Sequence, residues 1–223
     1  MDFDTVFFLQ TIVAGISAIP LSLSIALAAM LIGTLFGLPI ALLMFYRVRY
    51  VEPVFKVIVT VIQGIPILVF YLIFYIILSQ YSMFNSISVA IISLSFPCAI
   101  RMAEVFRGAL ESVSRNQFDA AYSVGHTTNA TIARIIMPQI IPVIIPPSGN
   151  ICIQMIKSVA VASLIGVNDI LNTCLLEATI NYRYLESYFA AGLIFWGVFI
   201  VIERVFYLIE THYKKQICRE LTT

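Results

Sequence analysis

Charge is scarce in this chain: only 11% of its 223 residues are Asp, Glu, Lys or Arg, against 61% hydrophobic, and the mean hydropathy is +0.98. That balance excludes a soluble globular domain and indicates an integral membrane protein. A formal net charge of +1 offers no basic surface to nucleic acid and no acidic one to a basic partner. Cysteine is also sparse. Cys98, Cys152, Cys174 and Cys218 stand far apart without CxxC or Cys/His spacing, which argues against a metal site or a disulfide framework and leaves them as small packing residues. His126 and His212 are isolated, so neither suggests a metal or catalytic role. No GxxxxGK[ST] run occurs, so the chain lacks the loop that cradles nucleotide phosphates. The opening MDFDTVFFLQ carries Asp2 and Asp4 but no Lys or Arg, so it lacks a signal peptide's positive n-region and is expected to stay uncleaved.

What is abundant is long apolar runs. A spanning helix needs roughly 20 apolar residues, and five runs qualify, at about 20–46, 54–79, 87–109, 137–165 and 187–210. They are expected to form one membrane domain over 1–223. Pro20 breaks the apolar stretch from Val13 to Tyr46, so the residues before it read as an interfacial lead-in. Arg47, Arg49 and Lys56 flank the first connection, Arg107, Arg115 and Arg134 the third, and Lys214, Lys215 and Arg219 populate the tail. The second connection has no basic residue and the fourth only Arg183. The positive-inside tendency then places the N-terminus outside and the C-terminus in the cytoplasm.

The third connection, about 111–136, is the polar exception. Phe118, Tyr122 and Val124 suggest one apolar face; Asp119 suits a helix N-terminus, Ala120 and Ala121 favour helix without bulk, and Gly125 permits the positive φ that ends it. Pro138 marks the expected start of the next span. So short a helix must pack on something. It packs either on its own bundle or on a cytosolic partner that its small residues let approach closely.

Asp119-Ala120-Ala121, three residues, Gly125, nine residues and Ile135-Ile136-Met137-Pro138 resemble the EAA loop of bacterial ABC importer permeases, with Asp for Glu and Met for Leu. Gln63-Gly64-Ile65-Pro66, Ala103 to Gly108, Pro146 to Asn150 and Ala162 to Val167 are similar to successive motifs of the polar amino acid subfamily, with Gln63 where that subfamily has Arg. The resemblance implies an all-α, five-helix type I ABC importer transmembrane domain in the bacterial cytoplasmic membrane. It also implies that Asp119, Ala120, Ala121, Gly125 and Pro138 belong to a coupling element seated on an ATP-binding cassette subunit. The implied partners are two such subunits, a second copy or a related permease, and an extracytoplasmic solute-binding protein. This chain would bind no cofactor and carry out no catalysis; ATP and Mg would sit on the partner.

Ionisable groups inside spans need partners or a cavity. Arg101, Glu104, Arg107 and Glu111 recur at helical spacing with alternating sign, which reads as a self-neutralising ladder for Glu104, Arg107 and Glu111. For Arg101, where the subfamily usually has Tyr, the competing reading is a bidentate grip on a substrate carboxylate. Lys157 stands where the subfamily often reads K-D-T-S, but Ser158, Val159 and Ala160 replace the last three, so the acidic partner suited to a cationic amino acid is missing. Lys157 either snorkels or joins Arg101 in holding a neutral or anionic amino acid. Cys98, Gln154 and Ser158 complete the candidate substrate set. Pro138, Pro142, Pro146, Pro147 and Gly149 concentrate breaks in the fourth span, which fits either a translocation path or plain packing kinks. Asn168, Asp169, Asn172 and Glu177 could meet a binding protein or simply be solvated. A self-sufficient ion-coupled transporter is the rival from another class, although its broken helices usually come in two halves. An intramembrane enzyme finds no nucleophile, metal or carboxylate set to support it.

Overall fold

The computed structural model describes residues 3–220, with side chains through residue 213; the side chains of Lys214, Lys215, Cys218 and Arg219 lie outside the described residues. Among the described residues every regular element is a helix. In order the chain forms α1 (Thr5–Ser17), α2 (Ile19–Phe45), α3 (Val51–Gly64), α4 (Ile67–Leu78), α5 (Ser86–Glu111), α6 (Arg115–Ser123), α7 (Thr128–Thr131), α8 (Met137–Val159), α9 (Ile170–Asn181) and α10 (Tyr184–Glu220). Five π-helical residues, Ile132–Ile136, join α7 to α8, and a 3₁₀ segment, Ala160–Ile165, continues α8.

Among the described residues, four helical runs are long and apolar enough to cross a membrane: Ile19–Phe45, Ser86–Glu111, Thr128–Ile165 and Tyr184–Tyr213. The stretch expected as one span over 54–79 is instead two helices, α3 and α4, that meet at a bend of 100°. The cause is local. Pro66 lacks an N–H and disfavours helical geometry in the residue before it, and Ile65 is extended at φ −96°, ψ 126°. Pro138, expected to open the fourth span, lies inside a continuous helical run, just past the π-helical turn. Such a turn widens the helix where a proline ring would crowd the carbonyl four residues back.

The core is a seam between α2 and α5. The buried face of α2 is mostly small residues, among them Ser22, Ala26, Ala29, Gly33, Gly37 and Ala41, which lets the helix backbones approach where lipid supplies no hydrophobic drive. A Cβ built on Gly33 would lie 2.6 Å from the Cys98 sulfur, and one on Gly37 would lie 2.8 Å from the Ala99 carbonyl oxygen. On the far side α1 packs on α9 and α10: Asp4 caps α1 by accepting from the N–H groups of Val6 and Phe7, and its carboxylate lies 3.3 Å from Arg183. The Arg183 guanidinium is also 3.2 Å from Glu186, whose carboxylate accepts the Asp4 N–H. Much of the outer surface, including Leu31, Leu35, Ile76, Trp196 and Val201, is exposed and apolar, as a lipid-facing surface must be.

Candidate functional site

The bend between α3 and α4 delivers Gln63 to a place where α5 and α8 also present polar groups. An open cleft of about 530 Å³ is lined by Gln63, Arg101, Glu104, Asn150 and Gln154, with Val105, Pro147 and Ile151 as its apolar floor. A second cleft of about 470 Å³ adjoins it, sharing Gln63 and Arg101 and bounded by Ile65, Pro66, Phe70 and Pro97. Helical periodicity explains the grouping: Pro147, Asn150, Ile151 and Gln154 follow an i, i+3, i+4, i+7 row on α8, and Arg101 and Glu104 are one turn apart on α5. Among the described residues neither Arg101 nor Glu104 makes a hydrogen bond or an ion pair, so both charges face the cleft uncommitted to the protein. Side chains at i and i+3 start ~5–6 Å apart, a spacing that lets one bind a carboxylate and the other an ammonium of the same small molecule.

The candidate substrate residues therefore divide. Arg101 and Gln154 share the cleft. Lys157 lies one turn further along α8, beside α10, with its ammonium 5.4 Å from the Phe199 ring centroid. Ser158 meets α4 through its backbone, its carbonyl accepting from the Tyr71 hydroxyl at 3.3 Å. Cys98 is fully buried in the seam against Gly33 and lines neither cleft. The charge ladder also divides: Arg107 and Glu111 are 3.7 Å apart, while Glu104 turns to the cleft. Gln63 and Asn150 are cleft residues that sequence reasoning had noted only as parts of motifs; the signal for them was a polar side chain beside a helix breaker. Asp169 is fully buried and caps α9 by accepting from the N–H groups of Leu171 and Asn172, so it is not available to a binding protein. Two further grooves, between α1–α2 and α10 and between α2, α3 and α5, have almost wholly apolar linings with nothing to orient a polar solute.

The polar connection builds a second site. Ser114 caps α6 by accepting from the Asn116 N–H. Phe118 and Ala121 turn inward, Phe118 resting on Phe45 with ring centroids 5.4 Å apart, while Asp119, Ala120, Tyr122 and Val124 face out. Gly125 ends the helix at φ +84°, with its N–H on the Tyr122 carbonyl and the His126 N–H on the Ala121 carbonyl, the paired bonds of a Schellman cap. The result is a short capped helix whose outer face mixes the Asp119 carboxylate and Ala120 with the larger Tyr122 and Val124.

Residues 33–215 match the family model for the binding-protein-dependent transport system inner membrane component. The chain belongs to that family. As a permease it is similar to the "Probable amino-acid permease protein YxeN" of Bacillus subtilis, 33% identical over 202 residues that cover 89% of this chain and 90% of the relative. It is similar also to the octopine transport system permease protein OccM of Rhizobium radiobacter, 30% identical over 94% of this chain and 90% of that one. The crystal structure of an amino acid ABC transporter with histidines superposes with a TM-score of 0.82 at 29% identity, covering 95% of the permease and all of the other chain. The MetNI methionine ABC transporter shares the fold, with a TM-score of 0.75 at 16% identity over 90% of this chain and 96% of that one. The permease is thus a multi-pass membrane subunit of an ABC importer, of the polar amino acid family. It is a non-catalytic subunit, and the ATPase activity of such a transporter resides in another chain.

Proposed function

We propose that the permease conducts a neutral, zwitterionic amino acid through the cleft between α3, α5 and α8, with Arg101 holding the carboxylate and Glu104 the ammonium. The observation that carries this reading is the pair of opposite, uncommitted charges in one cleft with Gln63, Asn150 and Gln154. The expectation of a neutral or anionic solute narrows because Lys157 faces α10, which leaves Arg101 balanced by Glu104. An anionic amino acid would set a second carboxylate against Glu104, a like-charge contact that disfavours it. Relatives named for octopine and L-cystine transport support a solute of the amino-acid type.

The motor in this proposal is a pair of ATP-binding cassette subunits, which hold ATP and Mg and seat the outward face of α6. A second copy of this chain or a related permease closes the open side of the cleft, and an extracytoplasmic binding protein delivers solute. The N-terminus lies outside and the C-terminus in the cytoplasm, as the basic residues at 47, 49, 107, 115 and 134 support. Closure of the ATP-bound subunits favours one of two membrane conformations; inverting a ~1:99 population in this way takes about 5.5 kcal/mol.

The test is uptake in proteoliposomes holding the permease, its ATPase and its binding protein, with labelled amino acids of each charge type. Neutral amino acids are expected to accumulate only with ATP, and Arg101→Ala to depress solute-stimulated ATPase activity more than basal activity. Accumulation that follows an ion gradient without ATP would overturn the motor; preference for a dicarboxylic amino acid would overturn the pairing of Arg101 with Glu104.

A further inference from the structure

The outer arm of the broken span is held in an unusual way. Of the twelve residues of α4, Tyr71 is the only one that is buried, and it is fully so. Its neighbours Leu68, Val69, Leu72, Ile73, Ile76 and Ile77 are exposed, so α4 lies on the bundle along a narrow line. Beyond ring packing of Phe74 on Phe96, at 5.1 Å between centroids, the described polar attachment of α4 to the rest of the protein is one hydrogen bond, from the Tyr71 hydroxyl to the Ser158 carbonyl.

The two sides of that bond differ in stiffness. The Ser158 side is fixed: the 3₁₀ segment after it ends at Gly166 in a left-handed turn, Asp169 caps α9, and the Ile170 N–H is held by the Ser22 hydroxyl of α2 at 3.1 Å. The α4 side pivots. Gly64 has nothing within 4 Å of a Cβ position, Ile65 is extended, and Pro66 opens α4, so a few backbone torsions at one junction can swing the arm. Ile67 and Phe70 on that arm, with Pro66 at its root, line the cleft that holds Gln63 and Arg101. Moving α4 therefore changes the mouth of that cleft.

We infer that Tyr71 is a positioning residue for transport: its hydroxyl, donating to the Ser158 carbonyl, latches α4 against the α8–α9 connection and sets how far the Arg101 cleft opens. Tyr71 lines neither cleft. This inference rests on the reading of the cleft as the solute path only for its consequence; the latch itself is a statement about α4.

The experiment measures access to the cleft directly. Gln63→Cys in a Cys218→Ser background supplies a reporter thiol, since Cys98, Cys152 and Cys174 are buried. The reporter is labelled with a hydrophilic maleimide in the assembled transporter, with Tyr71 intact or as Tyr71→Phe. Losing one partly buried hydroxyl hydrogen bond predicts labelling about fivefold faster in Tyr71→Phe, together with a higher solute-independent ATPase rate and unchanged recovery of the complex. Ser158→Ala keeps the accepting carbonyl and is expected to label as the parent does. Equal labelling of Tyr71→Phe and parent, or faster labelling in Ser158→Ala as well, would overturn the latch. Amide hydrogen exchange on the unsubstituted transporter gives a second reading: α4 is expected to exchange as one unit, well before α2 and α5, and protection of α4 equal to theirs would overturn the inference too. Labelling does not depend on what the cleft carries, so wild-type uptake by Arg101→Ala would dismiss the solute site while leaving the latch to stand or fall by the labelling rate.

Discussion

Replacing Asp169 with asparagine is expected to stabilise the protein, and the size of the effect follows from its surroundings. The carboxylate is fully buried at the start of α9. Burial raises its pKa from 3.8 to about 6, although the Asn172 and Leu171 N–H groups pull the other way. At ~1.4 kcal/mol for each tenfold change in protonation, holding Asp169 ionised in the folded protein at neutral pH costs on the order of 3 kcal/mol. Asparagine caps a helix about as well as aspartate and carries no charge; allowing ~1 kcal/mol for weaker, neutral hydrogen bonds, Asp169→Asn should gain about 1–2 kcal/mol. The sign with pH is fixed by the direction of the shift. Because the folded pKa is the higher one, the penalty is fully present above about pH 6 and disappears as the pH falls through 6 towards 3.8. Thermal unfolding of the purified transporter, followed from pH 4 to 8, should show the variant's advantage at pH 7.5 shrinking to nothing near pH 4. A variant less stable than the parent at pH 7.5, or an advantage that does not change with pH, would refute the argument.

Further outcomes follow from other parts of the fold. Gly125→Val meets open space but must hold a β-branched residue at φ +84°, a strain of ~1–2 kcal/mol or more; the expected result is a membrane-inserted protein that no longer co-purifies with its ATPase. Gly37→Leu would drive a side chain into the backbone of α5 at Ala99 and Ala103, costing ~1–3 kcal/mol or more, and should reduce the yield of folded protein in detergent. The Asp4 carboxyl is held below the usual carboxylate range by the Phe7 N–H, with Arg183 adding to the effect. Its contribution to stability is therefore complete above about pH 4 and lost as the pH falls through its depressed pKa; Asp4→Asn should flatten that part of a denaturation curve measured between pH 2 and 5, and an unchanged curve would remove Asp4 from the account.

Composition alone announced lipid as the solvent, and the α6 turn could be read residue by residue because its signals are local: an alanine pair in a short polar helix, then a glycine where the backbone must turn left-handed. The break at Ile65 was present in the letters Gln-Gly-Ile-Pro, yet hydropathy sums over a window and carries no direction, so two helices at a wide angle score as one span. The candidate solute residues show a different limit. Gln154 and Lys157 are three residues apart on one helix and end in different surroundings, because which neighbour crosses at each turn is a matter of tertiary packing. Cys98 failed as a cleft residue for a similar reason. Its position on α5 is three residues from Arg101, but α2 approaches so closely there that the thiol fills the gap left by Gly33.

The α2–α5 seam has a mechanical consequence. Where backbone rests on backbone, no flexible side chains lie between the helices to yield under load. Even the turn weakened by Pro39 is splinted by Gly37 against α5. At 1.5 Å per residue α2 is about 40 Å long, with Phe45 under the α6 ring of Phe118 at one end and Ser22 holding the first turn of α9 near the other. One continuous helix thus ties the underside of α6 to the α8–α9 connection, while the bend at Ile65 and Pro66 lies outside that tie.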